Sequence, residues 1–175
     1  ENAGSSLTLT ATLSGVTDEN VTVSISTSGT GTEGTDYATI SDITITAGST
    51  TGTTSFTPTD DSTYEGNETG IVAISGVSGG GATESGSQSV TLTITENESA
   101  PTVTLAASAS SIAENSGTSL ILTATLSGVS DETVTVSIST SGTGTEGTDY
   151  STISDITISA GSTTGTASFT PSDDS

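Results

Sequence analysis

The chain contains no lysine, arginine, histidine or cysteine. Without cysteine there is no disulfide, thiol nucleophile or iron–sulfur centre, and without histidine or cysteine there is no ordinary zinc site. Without lysine there is no Schiff base and no lysine–asparagine isopeptide crosslink. A nucleophilic triad also lacks its base. No apolar run approaches the roughly 18 residues that a membrane-crossing helix requires. No signal peptide is visible, but the sequence starts in mid-pattern, as an excised piece would. Aromatic residues are scarce, with 3 Tyr and 2 Phe. The core is therefore thin, and stability in the absence of a ligand is expected to be modest.

The chain is instead rich in acid. Its 175 residues carry 21 acidic groups and a formal charge of −21, although only 12% of residues are charged. Ser, Thr and Gly dominate the polar positions, so the surface is mostly hydroxyl and the acids sit in a few places. Such a chain is expected to avoid nucleic acid and anionic membrane, since both need positive charge to bind, and no direct membrane insertion is expected. The densest stretch is Thr59–Glu68, TDDSTYEGNE. Carboxylates gathered at one spot repel unless a cation or water screens them. The chain has no cation of its own, and a cluster of hard oxygen ligands suits Ca2+.

An internal repeat sets the architecture. Residues 1–62 match residues 114–175 at a constant offset of 113, with nine differences that include Ala3/Ser116, Thr8/Ile121, Asn20/Thr133 and Thr54/Ala167. None of the differences touches an acid. The sequence divides into a first repeat over residues 1–98, carrying strands B to G, and a second over 99–175, carrying strands A to E. It reads as a window cut from a longer array.

Composition alone would point to disorder, but the periodicity points to folding. Leu7, Leu9, Ala11 and Leu13 alternate with Thr and Ser, as do Val21, Val23 and Ile25, and Val90, Leu92 and Ile94. Alternation of this kind with β-branched residues marks half-buried strands. The expected strands are A, 102–112; B, 6–13; C, 21–27; D, 37–46; E, 52–58; F, 69–74; and G, 89–95. No convincing helix is found. Seven short antiparallel strands in about 110 residues predict an all-β, immunoglobulin-like sandwich.

In an up-and-down sandwich, strands A, C, E and G end at one pole. That places nine acids of the first repeat together: Glu1, Glu33, Asp36, Asp60, Asp61, Glu65, Glu68, Glu96 and Glu98. The other pole holds Asp18, Glu19 and Glu84, and Asp42 falls within D. The crowded pole is followed directly by the linker Ser99-Ala100-Pro101, so a cation there would sit at a repeat junction. Of these acids, Glu33 is expected to face solvent. Asp18-Glu19 and Asp131-Glu132 are expected to be solubilising hairpin loops, and the ring of Tyr37 to close the core edge.

Four segments carry a family resemblance: Ala113–Gly117 (AENSG), Gly34–Tyr37 (GTDY), Asp60–Glu68 (DDSTYEGNE) and Glu96–Glu98 (ENE) before Ala-Pro. Together the sequence resembles the Calx-beta domain, a family that includes calcium-sensing domains of sodium–calcium exchangers, an integrin cytoplasmic module and tandem bacterial surface proteins. The resemblance implies calcium ligands at Glu1, Asp36, Asp60, Asp61, Glu65, Glu96, Asn97 and Glu98. In the second copy the matching positions are Glu114, Asp149, Asp173 and Asp174. The family's closing triplet is usually Asp-Asp-Asp, whereas Asn97 here offers only a neutral carbonyl oxygen. Glu68 lies outside the implied set, because Gly66-Asn67-Glu68 can simply shape the turn.

The expected function is a non-enzymatic, Ca2+-binding extender repeat of a large bacterial protein at the cell surface or in an extracellular fibre. Its partners would be neighbouring repeats of the same chain and other copies in the fibre. Two alternatives carry different partners. One is a filament subunit completed by strand addition between chains. The other is a module that itself adheres to glycan or protein, which would need an exposed aromatic or apolar patch.

Overall fold

A computed structural model describes residues 5–174. Its strands are β1 (Leu7–Thr12), β2 (Val21–Gly29), β3 (Ile43–Ile45), β4 (Thr51–Phe56), β5 (Thr63–Tyr64), β6 (Glu68–Ser78) and β7 (Ser89–Ile94). They continue as β8 (Val103–Ala107), β9 (Leu120–Leu126), β10 (Val129–Ser130), β11 (Val134–Val136), β12 (Ile156–Ile158) and β13 (Thr164–Phe169). The fold is an all-β, immunoglobulin-like sandwich. One 3-10 turn, Glu114–Ser116, is the sole helical segment among the described residues, where the sequence offered no helix. The chain forms two compact units, Glu1–Asp61 with Gly66–Asn97, and Ser62–Glu65 with Glu98–Ser175.

The first unit packs the pair β1–β4 against a four-stranded sheet of order β3-β2-β6-β7. The pairing is antiparallel and runs from Leu7↔Phe56 to Thr12↔Thr51 in the small sheet. In the large sheet, β2 meets β6 from Thr22↔Ser78 to Gly29↔Gly70, with a register shift between Ser24 and Ile25. Alternation places one set of side chains inside. Val21, Val23, Ile43 and Ile45 form one buried cluster. Tyr37, Ile40, Phe56, Val72 and Ile94 form a second.

The register shift explains the role of Asp42. A bulge frees backbone groups from the ladder, and here the Ile25 N–H donates to Asp42 Oδ1 at 2.9 Å while Ser24 Oγ donates to Oδ2 at 3.1 Å. The same clamp recurs in the second unit, where Ile138 N–H reaches Asp155 Oδ1 at 2.9 Å. These acids belong to the fold. They also explain why strand D is shorter than its apolar pattern predicts: residues before Ile43 are held by clamps and isolated bridges, such as Tyr37↔Pro58, and not by a continuous ladder.

In the second unit β8 pairs with β9 and β9 with β13, all antiparallel, and β11 pairs with β12. Its strands β9, β11, β12 and β13 are the 113-offset counterparts of β1, β2, β3 and β4. Strand β11 has 3 residues where β2 has 9. The extra length of β2 is the part laddered to β6, and no counterpart of β6 occurs in the second unit among the described residues. The pair β5–β10 is parallel, with Val129↔Thr63 and Ser130↔Tyr64. Neither strand has the length or alternation that would announce it in the sequence.

An aromatic pair packs in the core of the first unit. The Tyr37 and Phe56 ring centroids are 4.7 Å apart with a 30° tilt. Gly70 lies against this pair, and a Cβ built there would meet Phe56 Cε2 at 2.7 Å. Gly70→Ala is expected to destabilise the unit by about 1–3 kcal/mol through overpacking. Gly15→Ala, at a position with nothing within 4 Å, is expected to stay within about 0.5 kcal/mol. Urea unfolding of the two variants checks the contrast.

Candidate metal centre

The loop after β2 supplies the first acids. Gly34 adopts φ +88, a left-handed turn that suits glycine. The turn brings Asp36 back so that its Oδ2 accepts from Thr32 N–H at 2.5 Å, and the Asp36 carbonyl accepts from Thr59 N–H at 2.9 Å. Asp36 is buried, at 8% exposure. Glu33 departs from the sequence expectation. It does not face solvent: Oε2 accepts from Thr27 Oγ1 and Oε1 from Ile40 N–H, both at 2.7 Å. Glu146 repeats both bonds in the second unit, at 2.8 and 3.1 Å. These two acids hold the loop closed, and their carboxylates are engaged by backbone and hydroxyl groups.

Strand parity supplies the acid that the family pattern omits. Glu68 opens β6 in phase with Gly70 and Val72, both buried. It therefore lies on the row that faces the sandwich interior. Asp36 and Glu68 each bring a carboxylate oxygen within 4.8 Å of the other. Two charges at that distance repel by about 1 kcal/mol in bulk water and roughly 3 kcal/mol at an effective dielectric near 20. The phase of Glu68 with the core positions of strand F is the signal in the sequence that marks it. Gly31 keeps the space open: a Cβ there would meet Glu68 Oε2 at 3.2 Å.

The segment after β7 joins the same end of the first unit. Glu96 Oε2 accepts from Gly66 N–H at 2.8 Å, and Glu96 N–H donates to Asn67 Oδ1 at 3.0 Å. Asn97 donates its Nδ2 to Asp60 Oδ1 at 2.9 Å. Asn97 therefore carries the charge-neutral half of a pair with Asp60, and its own Oδ1 remains the oxygen that could meet a cation. Asp36, Asp60, Glu68, Glu96 and Asn97 thus come from four separate segments of one unit. Asp61 is exposed, and Glu65 and Glu98 are half-buried members of the second unit. Glu1 lies outside the described residues.

The second unit gathers its own set. Glu114 shares a hydrogen bond with Asp174, and this bond, followed by the negative charges of Asp174, Asp173 and Asp149, raises the Glu114 pKa above its ordinary value. A neighbouring negative charge disfavours the ionised form of a carboxylate. Asp149, Asp173 and Asp174 each therefore act on Glu114. Asp149 Oδ2 accepts from Thr145 N–H at 2.6 Å, repeating the Asp36 turn.

Comparison with known proteins gives the family. The Calx-beta domain model matches residues 1–98 and again 96–166. The chain belongs to the Calx-beta domain family. It contains two Calx-beta domains in tandem, both in the sandwich fold described above. A search among curated proteins returned no match. Two solved structures are similar over most of the chain. The calcium binding domain CBD12 of CALX1.1 is 16% identical, covering 97% of this chain and 70% of that one, with TM-score 0.44. CBD12 from CALX1.2 is also 16% identical, covering 95% and 68%, with TM-score 0.44. No helix among the described residues is long and apolar enough to cross a membrane.

The Glu114 shift has a definite sign. The folded state holds the Glu114 proton more tightly than the unfolded chain does. The associated stability is fully present below the unfolded pKa and is lost as pH rises through the higher folded value. In chelator, the thermal midpoint of the chain is expected to fall as pH rises through that window, and Glu114→Gln is expected to flatten the fall. Differential scanning calorimetry across the acidic range reads both.

Proposed function

We propose that this tandem Calx-beta chain is a Ca2+-binding extender: a pair of structural repeats from a large secreted, bacterial cell-surface protein or extracellular fibre. The observation that carries the reading is the convergence of carboxylates in a chain with no basic side chain. In the first unit Asp36 and Glu68 approach within 4.8 Å. In the second, Glu114 is hydrogen-bonded to Asp174 and lies near the charges of Asp173 and Asp149. The donor atoms are all hard oxygens, which suits Ca2+ and not a softer metal.

In this reading Asp36, Asp60 and Glu68 hold the ion in the first domain, with Asp61, Glu65, Glu96, Asn97 Oδ1 and Glu98 as further oxygen donors. Glu1 supplies one more from the start of the domain. Glu114, Asp149, Asp173 and Asp174 do the same in the second. Bound Ca2+ removes the repulsion that otherwise opposes closing of the loops, so binding energy becomes folding energy. The closing acids Glu96 and Glu98 lie immediately before the Ser99-Ala100-Pro101 linker, and an ion held there stiffens the passage from one repeat to its neighbour. The chain's work is mechanical: it holds another module at a distance, and its partners are neighbouring repeats and other copies in the fibre.

Calorimetric titration with Ca2+ is expected to show binding that Asp36→Asn and Glu68→Gln each weaken by about tenfold or more, since each removes a charged ligand. Asp18→Asn, at the far loop, is expected to leave it unchanged. Small-angle scattering is expected to show a longer and less flexible particle with Ca2+ than with chelator. Binding that survives both pole variants would refute the site, and scattering unchanged by chelator would refute the stiffening.

A further inference from the structure

Three asparagines head Asn-x-Ser/Thr triplets: Asn20-Val21-Thr22, Asn67-Glu68-Thr69 and Asn97-Glu98-Ser99. Such triplets are acceptors for N-linked glycan in exported proteins. In a chain rich in Ser and Thr they also arise by chance, and the fold separates the three. Asn97 spends its Nδ2 as a donor to Asp60 Oδ1 at 2.9 Å. Asn67 accepts Glu96 N–H on its Oδ1 at 3.0 Å, and its neighbour Gly66 donates to Glu96 Oε2. A bulky group on either would crowd the carboxylates that converge there. Asn20 is placed differently. It closes the loop between β1 and β2 and is exposed, as are Asp18 and Glu19 before it. Two hydrogen bonds hold this loop: Glu19 Oε2 accepts from Gly80 N–H at 3.2 Å, and Asn20 Oδ1 accepts from Ala47 N–H at 2.9 Å. The anchor on Asn20 uses only its oxygen. Its Nδ2 has no acceptor among the described residues.

We infer that Asn20 is an N-glycosylation site, and that its co-substrate is an oligosaccharide carried on a polyprenyl diphosphate. The second repeat shows that the fold itself does not need this amide. Thr133 stands at the matching position, yet the pairing beside it is kept: Val134↔Ile158 copies Val21↔Ile45. Asp18 gives the triplet the acid two positions ahead that bacterial transferases read. In the transfer a bond forms between Asn20 Nδ2 and the sugar C1. The bond from C1 to the diphosphate oxygen breaks, the diphosphate leaves with the electron pair, and Nδ2 gives up one proton. Thr22 is laddered on both sides, to Thr44 and to Ser78. Transfer therefore belongs to the nascent chain, before β2 closes and while the Thr22 hydroxyl can still be read. The folded loop then accommodates the product. The substituted amide keeps its carbonyl, so the bond from Ala47 N–H survives. Gly79, packed against the Asn20 backbone, brings no side chain to the place. The inference goes beyond the extender reading and borrows from it only export from the cell.

The test is to send the 175-residue chain, behind an added signal peptide, into the periplasm of a bacterial host that carries an oligosaccharyltransferase and its lipid-linked oligosaccharide. Intact mass is expected to rise by one glycan, and peptide mapping to place it on Asn20. Asn20→Thr copies the second repeat and so keeps the fold, and it is expected to lose the increment entirely. Thr22→Ser is expected to retain the glycan and Thr22→Val to lose it, because the transferase reads the hydroxyl while valine suits a strand as well as threonine does. Three results would overturn the inference: no increment on the unaltered chain, an increment on Asn67 or Asn97 alone, or an increment that survives Asn20→Thr. Because the signal peptide supplies export and no Ca2+ measurement enters, these results leave the extender proposal untouched.

Discussion

A formal charge of −21 with no basic side chain to oppose it is the constraint on which the structure turns. Every carboxylate must be satisfied by a backbone N–H, a hydroxyl, water, a shared proton or an imported cation. The molecule uses these options in different places. Glu33 and Asp42, with their copies Glu146 and Asp155, are taken up by backbone N–H groups and hydroxyls. Glu96 accepts the Gly66 N–H. Other carboxylates lie close to one another, where Asp36 meets Glu68 and where Glu114 meets Asp174. The first group builds the loops. The second group is brought together by those loops, where like charges repel.

This division also explains the placement of the site. The Asp36 turn depends on Gly34 in a left-handed conformation. It is closed on one side by Glu33 and backed on the other by Tyr37, which is 1% exposed. Glu68 is delivered by the longest strand, whose pairing with β2 and β7 fixes its phase. The acids on opposite sides of the loop therefore rest on laddered backbone and packed rings, and not on flexible connections. A site supported in this way is positioned before any ligand arrives.

Much of this was legible in the sequence. Alternation revealed the sandwich, and the constant 113-residue offset revealed the repeat. The positions Glu114, Asp149, Asp173 and Asp174 were marked by resemblance, and in the structure the three aspartates act on Glu114. Three features were not legible, each for a physical reason. Glu33 and Asp42 look like any surface acid, because their role depends on which backbone N–H the folded loop leaves open. Strand D starts late because Ile40, ahead of Ile43, is anchored through Glu33 and not through a ladder. The two-residue partners β5 and β10 are too short for any periodicity to register. Glu68 stood between these cases: its phase with Gly70 and Val72 was present, but the surrounding Gly-Asn turn masked it.

The aromatic pair beneath the acidic loop has an optical consequence. The chain has no tryptophan and 3 tyrosines, so its near-ultraviolet signal comes almost wholly from those phenol rings. Two of the three, Tyr37 and Tyr150, pack on Phe56 and Phe169, with centroids at 4.7 and 4.9 Å. Each follows Asp36 or Asp149 by a single peptide bond. A shift of either loop twists a chromophore locked in an asymmetric packing, so circular dichroism near 280 nm becomes an intrinsic, label-free gauge of events at the acids above.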